Sequence, residues 1–265
     1  MNKNFGQAGR WLIGHRRKGV PLHRLICFPY AGGNAKVFNR WSEYLPETVE
    51  IIAIEAPGKG SRLLEKPCTS LAALCDTLLQ EITPLANQIP FSFFGHSNGA
   101  LIAFELACRM QHYGLRLPSQ MLLSASAAPW TRINDGTYSK LTDDEFKKTL
   151  RTLNGTPPEI LEDDGLFELL LPGLRADFSL SEGYCYRWIR KLPVATHIFY
   201  GEFDEIDEDN IFAWQDKISS PIGFEKIPGG HFFIHSHIER LTNSVGSLLQ
   251  KVDSRLSLNA IPVTS

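Results

Sequence analysis

The chain has 265 residues, 43% of them apolar and 21% charged, with a formal net charge of −2. That length and apolar content suit one large α/β domain with a full core and exclude global disorder. The near-neutral balance lacks the basic footprint of a nucleic-acid binder, and no apolar run approaches the ~20 residues of a membrane span.

Residues 1–20 carry Arg10, Arg16, Arg17 and Lys18 without periodicity and read as a loose arm. They contain no apolar stretch of signal-peptide length. Arg24 to Phe28 is a short apolar run halted by Pro29, the pattern of a buried strand. A glycine-bearing loop follows, Tyr30-Ala31-Gly32-Gly33-Asn34, then a helix over Ala35 to Tyr44. Glu50 to Ile54 is a second buried strand. Ser70 to Gln88 has helical spacing, with Leu71, Leu74, Leu78 and Ile82 on one stripe. Phe91 to Phe94 is a third strand, running into Gly95-His96-Ser97-Asn98-Gly99 and a helix over Ala100 to Met110. Met121–Ala125, Thr196–Tyr200 and Gly223–Ile227 are strand-like, and Ile238 to Val252 is helical. Strands alternating with helices predict a mostly parallel sheet covered on both faces.

The interval 130–188 breaks that rhythm, which divides the chain into an α/β core of 1–129 and 189–265 and a helical insertion. Thr142 and Glu145 form a capping-box pattern ahead of Phe146, Leu150 and Leu153. Pro157-Pro158 interrupts the helix, and a leucine-rich stretch, Leu166 to Leu171, ends at Pro172-Gly173. Such an insertion is a candidate lid. Its apolar residues Leu166, Phe167, Leu169, Leu170 and Leu171 either wall a pocket or pack the insertion onto the core. The five cysteines are odd in number and lack C-x-x-C spacing, which points to a reduced, cytoplasmic protein.

Gly95-x-Ser97-x-Gly99 carries the chemistry. A strand-to-helix turn this tight needs glycine two positions either side of the serine and pushes its Oγ above the sheet. A hydroxyl needs a base to take its proton. In chain order an acid and then a histidine should follow. Of His231, His235 and His237, only His231 sits in a glycine-rich loop directly after a strand, so it is the base. The acid lies in the loop after Tyr200, which carries six carboxylates. Asp204 lies just past the strand end; Glu202 and Asp207 remain open alternatives. The backbone amides of Asn98 and of Tyr30 or Ala31 fit an oxyanion hole.

Five segments together resemble the type II thioesterases, the discrete α/β-hydrolases that accompany nonribosomal peptide and polyketide synthases. They are Phe28-Pro29-Tyr30-Ala31-Gly32-Gly33, Pro57-Gly58-Lys59-Gly60-Ser61-Arg62, Phe94 to Ala100, Leu174-Arg175-Ala176-Asp177 and Pro228-Gly229-Gly230-His231-Phe232. The medium-chain fatty-acid thioesterases are similar. The resemblance spans Arg24 to Leu249. It implies an α/β-hydrolase fold with a lid. It also implies a serine hydrolase that removes acyl groups from the phosphopantetheine thiol of acyl- or peptidyl-carrier domains, with no metal or organic cofactor. The Gly-x-x-Asp segment Gly201-Glu202-Phe203-Asp204 then selects Asp204, completing a triad of Ser97, Asp204 and His231. Two departures stand out: Asn98 where the family usually has methionine, and Lys59 where it usually has arginine. A medium-chain acyl thioesterase, an acyltransferase of the same fold and a non-catalytic binding member are the alternatives.

Overall fold

The computed structural model describes residues 10–15, 19–131 and 137–259. Its seven strands are β1 (Leu12–His15), β2 (His23–Phe28), β3 (Val49–Ile54), β4 (Phe91–His96), β5 (Gln120–Ser124), β6 (Ala195–Gly201) and β7 (Gly223–Ile227). They form one sheet in the order β1-β3-β2-β4-β5-β6-β7. Only β1 runs antiparallel, against β3; every other pairing is parallel. This is the α/β-hydrolase arrangement expected from the alternating pattern. The arm contains one element that its composition hides, since β1 is only four residues long. Residues 1–9 and 16–18, with Arg16, Arg17 and Lys18, lie outside the described residues.

Strands β2 to β5 are buried at every position. That is why they read as apolar runs rather than alternating ones. Alternation reappears in which face each side chain joins. Ile26, Phe28, Ile52, Phe93, Met121 and Leu123 meet helices α1 (Leu71–Ala86) and α2 (Asn98–His112). Leu25, Cys27, Ile51, Phe94 and Leu122 join Phe38 and Trp41, and also Leu241 and Val245, in one cluster. The first pair belongs to the expected helix over Ala35 to Tyr44, which is a 3-10 helix over Ala35–Glu43, capped by the Asn34 side chain. The second pair belongs to the C-terminal helix Ile238–Asn259.

The insertion holds α3 (Asp143–Leu153), α4 (Pro158–Glu162) and α5 (Asp164–Glu182). The capping box forms as expected: Thr142 Oγ1 accepts from the Glu145 amide, and Glu145 Oε2 accepts from the Thr142 amide at 3.0 Å. Residues 132–136 of the interval lie outside the described residues. The expected stop at Pro172-Gly173 does not occur, because α5 continues through both. Proline removes one helical hydrogen bond. Burial of Gly173, Leu174, Ala176, Asp177 and Leu180 beyond it outweighs that loss. Gly173 is needed there, since a Cβ would fall 2.7 Å from the Gly58 carbonyl oxygen.

The chain lays β3 on one side of β2, then β4 to β7 on the other. The direction of winding reverses between β2 and β4. A crevice opens at the carboxyl ends of strands flanking such a point. The loops after β2, β4, β6 and β7 all leave the sheet at that end.

Candidate active site

Ser97 sits between β4 and α2 with φ 55° and ψ −114°. For a residue with a Cβ this is a strained conformation, of order 1–3 kcal/mol. Its neighbours explain how the strain is held. A Cβ on Gly95 would overlap the Gly99 carbonyl, and one on Gly99 would overlap the Phe28 carbonyl. The Ser97 amide donates to the Ser124 carbonyl at 2.7 Å, fastening the turn to β5.

The structure brings together the three side chains expected from sequence. His231 Nε2 lies 3.0 Å from Ser97 Oγ, and His231 Nδ1 lies 2.9 Å from Asp204 Oδ2. The carboxylate can only accept, so Nδ1 carries the proton and Nε2 is left to accept from the hydroxyl. The Asp204 side chain is 4% exposed and that of His231 30%. A desolvated carboxylate thus faces an imidazole that a solute can reach. The rival acids go elsewhere: Glu202 is exposed, and Asp207 accepts from the Asp209 amide at the start of a short helix, Glu208–Phe212. His235 is exposed and meets the Tyr30 hydroxyl at 2.7 Å.

The loop after β2 is pinned on several sides. The Gly33 amide donates to the Tyr30 carbonyl at 2.9 Å, and the Gly32 amide donates to Asp177 Oδ2 at 2.6 Å. Tyr30 and Ala31 come just before these two committed amides. Asn98 opens α2, where the first-turn amides have no intrahelical acceptor. The Tyr30 ring packs edge-on to Phe232 at 5.1 Å between centroids.

Three further residues support this site, and sequence reasoning assigned them no role. Asp177 of α5 accepts from the Gly32 amide and from Lys59 Nζ, and its backbone carbonyl accepts from Asn98 Nδ2 at 2.9 Å. Asp177 is buried and Lys59 nearly so, with side chains 5% and 12% exposed. His96 Nε2 donates to the His231 carbonyl at 3.0 Å, so its Nδ1 accepts from Ser124 Oγ at 2.9 Å. Burial holds the His96 imidazole well below the ordinary histidine range. Position inside resembled motifs was the only signal for Lys59, His96 and Asp177. Which carboxylate would meet which amide depends on the path of α5.

A small cavity of about 30 Å³ is bordered by Asn98 and by Pro29 of the loop after β2, and none of Ser97, Asp204 and His231 lines it. Phe28, Ile54, Leu74, Leu78, Ile102 and Leu180 supply its apolar walls, and Lys59, Asn98 and Asp177 its polar groups. The wall from the insertion is therefore Leu180, not the leucine-rich stretch. Phe167 instead joins Phe146, Leu150, Leu161 and Leu174 in a cluster internal to the insertion, with Leu170 and Leu171 against it, while Leu166 and Leu169 are exposed. A wider open depression between Tyr44, Glu225 and the start of the C-terminal helix shares none of these groups.

Residues 23–249 match the family model described as a thioesterase domain. The chain belongs to the thioesterase family. The gramicidin S biosynthesis protein GrsT of Aneurinibacillus migulanus is 36% identical to this thioesterase over 232 residues, 87% of this chain and 90% of that relative. The type II thioesterase BorB from the borrelidin biosynthetic cluster is 31% identical, with a TM-score of 0.78 over 89% of this chain and 96% of its own. YbtT, the type II thioesterase of the yersiniabactin pathway, is 26% identical, with a TM-score of 0.79 over 91% and 99%. The thioesterase is accordingly an enzyme of the serine-hydrolase kind, on an α/β-hydrolase fold. Among its described residues, no helix is long and apolar enough to cross a membrane.

Proposed function

We propose that the enzyme hydrolyses acyl groups from the phosphopantetheine thiol of acyl- or peptidyl-carrier domains, using Ser97 as nucleophile, His231 as base and Asp204 as the acid that orients it. The observation that carries this reading is the hydrogen-bonded chain Ser97 Oγ–His231–Asp204 above the sheet. The work is editing or release in nonribosomal peptide and polyketide synthesis. Its support is that YbtT is named for an NRPS/PKS pathway, and GrsT and BorB for gramicidin S and borrelidin biosynthesis.

Ser97 Oγ bonds to the thioester carbonyl carbon as its proton passes to His231 Nε2. Asp204 holds Nδ1–H and stabilises the imidazolium. The oxyanion rests on the amides of Asn98 and of Tyr30 or Ala31, where each donor is worth about 3 kcal/mol in the transition state. The carbon–sulfur bond then breaks, and the thiolate leaves with the proton from Nε2. Water, deprotonated by the same nitrogen, attacks the acyl-serine and frees the acid and the hydroxyl.

The insertion is the lid of this site. Gly155, between α3 and α4, lies so close to Phe232 that a Cβ there would overlap the ring. Phe232 adjoins His231, so the insertion borders the base as well as the cavity. The test is hydrolysis of an acyl-carrier thioester by the native enzyme and by Ser97→Ala. The expected loss is at least about 10³-fold in kcat/KM. Equal rates would overturn the assignment.

A further inference from the structure

Ser124, the last residue of β5, is fully buried, so it touches neither solvent nor substrate. It is nevertheless tied to both partners of the proton transfer. Its carbonyl accepts from the Ser97 amide at 2.7 Å. Its hydroxyl reaches the base by way of His96, which lies opposite it on β4 in the sheet register. The His231 carbonyl can only accept, so His96 Nε2 carries the proton and Nδ1 is bare. Ser124 Oγ, 2.9 Å from Nδ1, is then the donor. The chain runs from the Ser124 hydroxyl to His96 Nδ1, and from His96 Nε2–H to the His231 carbonyl.

The two ends of this chain differ in rigidity. His231 stands in a loop, between β7 and the short helix Phe233–Ser236. Ser124 stands inside the sheet. Ala125 beside it takes φ 49°, a costly conformation for a residue with a Cβ, and its amide donates to the Phe199 carbonyl of β6 at 2.9 Å. The sheet therefore supports the loop through one imidazole. The rings of Tyr30, Phe232 and Phe233 pack edge-on or tilted against that imidazole, and none of them bonds its nitrogens. Without the Ser124 hydroxyl, Nδ1 is a buried acceptor lacking a donor, and the ring keeps one polar tie instead of two.

We propose that Ser124 is a positioning residue for the base: through His96 its hydroxyl holds the His231 loop where Nε2 meets Ser97 Oγ. Its carbonyl holds the turn that carries Ser97. One residue of the sheet thus sets both ends of the 3.0 Å contact across which the proton moves. The proposal rests on the hydrolytic reading above and adds a residue to that machinery.

The test measures kcat and KM separately on propionyl-pantetheine thioester for the native enzyme, Ser124→Ala, His96→Phe and the double variant. Active sites are counted by a fluorophosphonate, so an unfolded fraction cancels. Ser124→Ala keeps the carbonyl and deletes only the hydroxyl. Its kcat is expected to fall about tenfold, the scale of one neutral hydrogen bond acting on the barrier, with KM within about twofold of native. In His96→Phe the chain is already cut, so adding Ser124→Ala is expected to cost nothing more. A native kcat in Ser124→Ala overturns the proposal. So does a double variant slower than His96→Phe by the full factor of Ser124→Ala, since the hydroxyl would then act by another route. Should Ser124→Ala yield no active protein, Ser124→Cys takes its place, because a thiol donates weakly; an undiminished kcat there overturns the proposal, and a reduced one supports it. A native enzyme that leaves the thioester intact defeats the hydrolytic reading itself, whereas native turnover unchanged in Ser124→Ala defeats only the role of Ser124.

Discussion

His96 shows how a residue that never meets substrate can govern one that does. It is fully buried, it donates to the carbonyl of His231, and it accepts from Ser124. Protonation would place a second N–H where Nδ1 must accept, and would add a charge without solvent. Its folded pKa is therefore depressed below the ordinary 6.5. Below that pH the unfolded chain takes up a proton that the folded chain refuses. Stability is thus present in full above pH 6.5 and falls as the pH drops, by up to about 1.4 kcal/mol per pH unit until the folded pKa is reached. Denaturant titrations between pH 5 and 7.5 should show a shallower slope for His96→Gln than for the native chain. Parallel slopes would remove His96 from the explanation. The sequence made Ser97 legible because a strained turn demands glycine on both sides. It made His231 legible because one histidine alone follows a strand in a glycine-rich loop. It left Asp204 open among six acids, since reaching an imidazole is a matter of loop path and not of spacing.

Among the elements, α5 differs most from its sequence pattern. Proline followed by glycine is an ordinary helix stop, yet α5 runs nine residues past Gly173, from Leu174 to Glu182. The continuation delivers Asp177 to the Gly32 amide, to Lys59 and, through its carbonyl, to Asn98. Tertiary contacts of this kind outweigh local propensity, and no window of sequence contains them. The core strands were legible for the opposite reason. Strands buried on both faces are apolar at consecutive positions, as β2 to β5 are. The edge strand β1 escaped because four residues, one buried and three half-buried, carry little pattern. Removing the Asp177 carboxylate would strand the Lys59 ammonium in a buried setting and orphan the Gly32 amide. Asp177→Ala should destabilise the fold by about 3–5 kcal/mol in chemical denaturation, the usual scale for breaking one side of a buried pair. It should also lower kcat, because the loop carrying Tyr30 and Ala31 loses its tie to α5. A change below about 1 kcal/mol would show that the pair is not holding the insertion to the core.

For the molecule as a whole, the sheet's winding matters more than any one contact. Because these strands run parallel, the loops after β2, β4, β6 and β7 open at one end of the sheet, and the winding order that reverses between β2 and β4 leaves a crevice there. Residues 30, 97, 204 and 231, spread over some three-quarters of the chain, meet there, with the insertion bordering them from above. A net charge of −2 on 265 residues gives no strong long-range field, so recognition of the acyl group falls to short-range contacts in the crevice. The claim that everything else depends on is a covalent acyl-serine formed at this meeting point. Rapid quenching of the enzyme with an acyl-pantetheine thioester, followed by peptide mass mapping, reads it directly. The expected result is the acyl mass on the peptide containing Ser97, present in the native enzyme and absent in Ser97→Ala. Steady turnover with no adduct on that peptide, undiminished in Ser97→Ala, would contradict it.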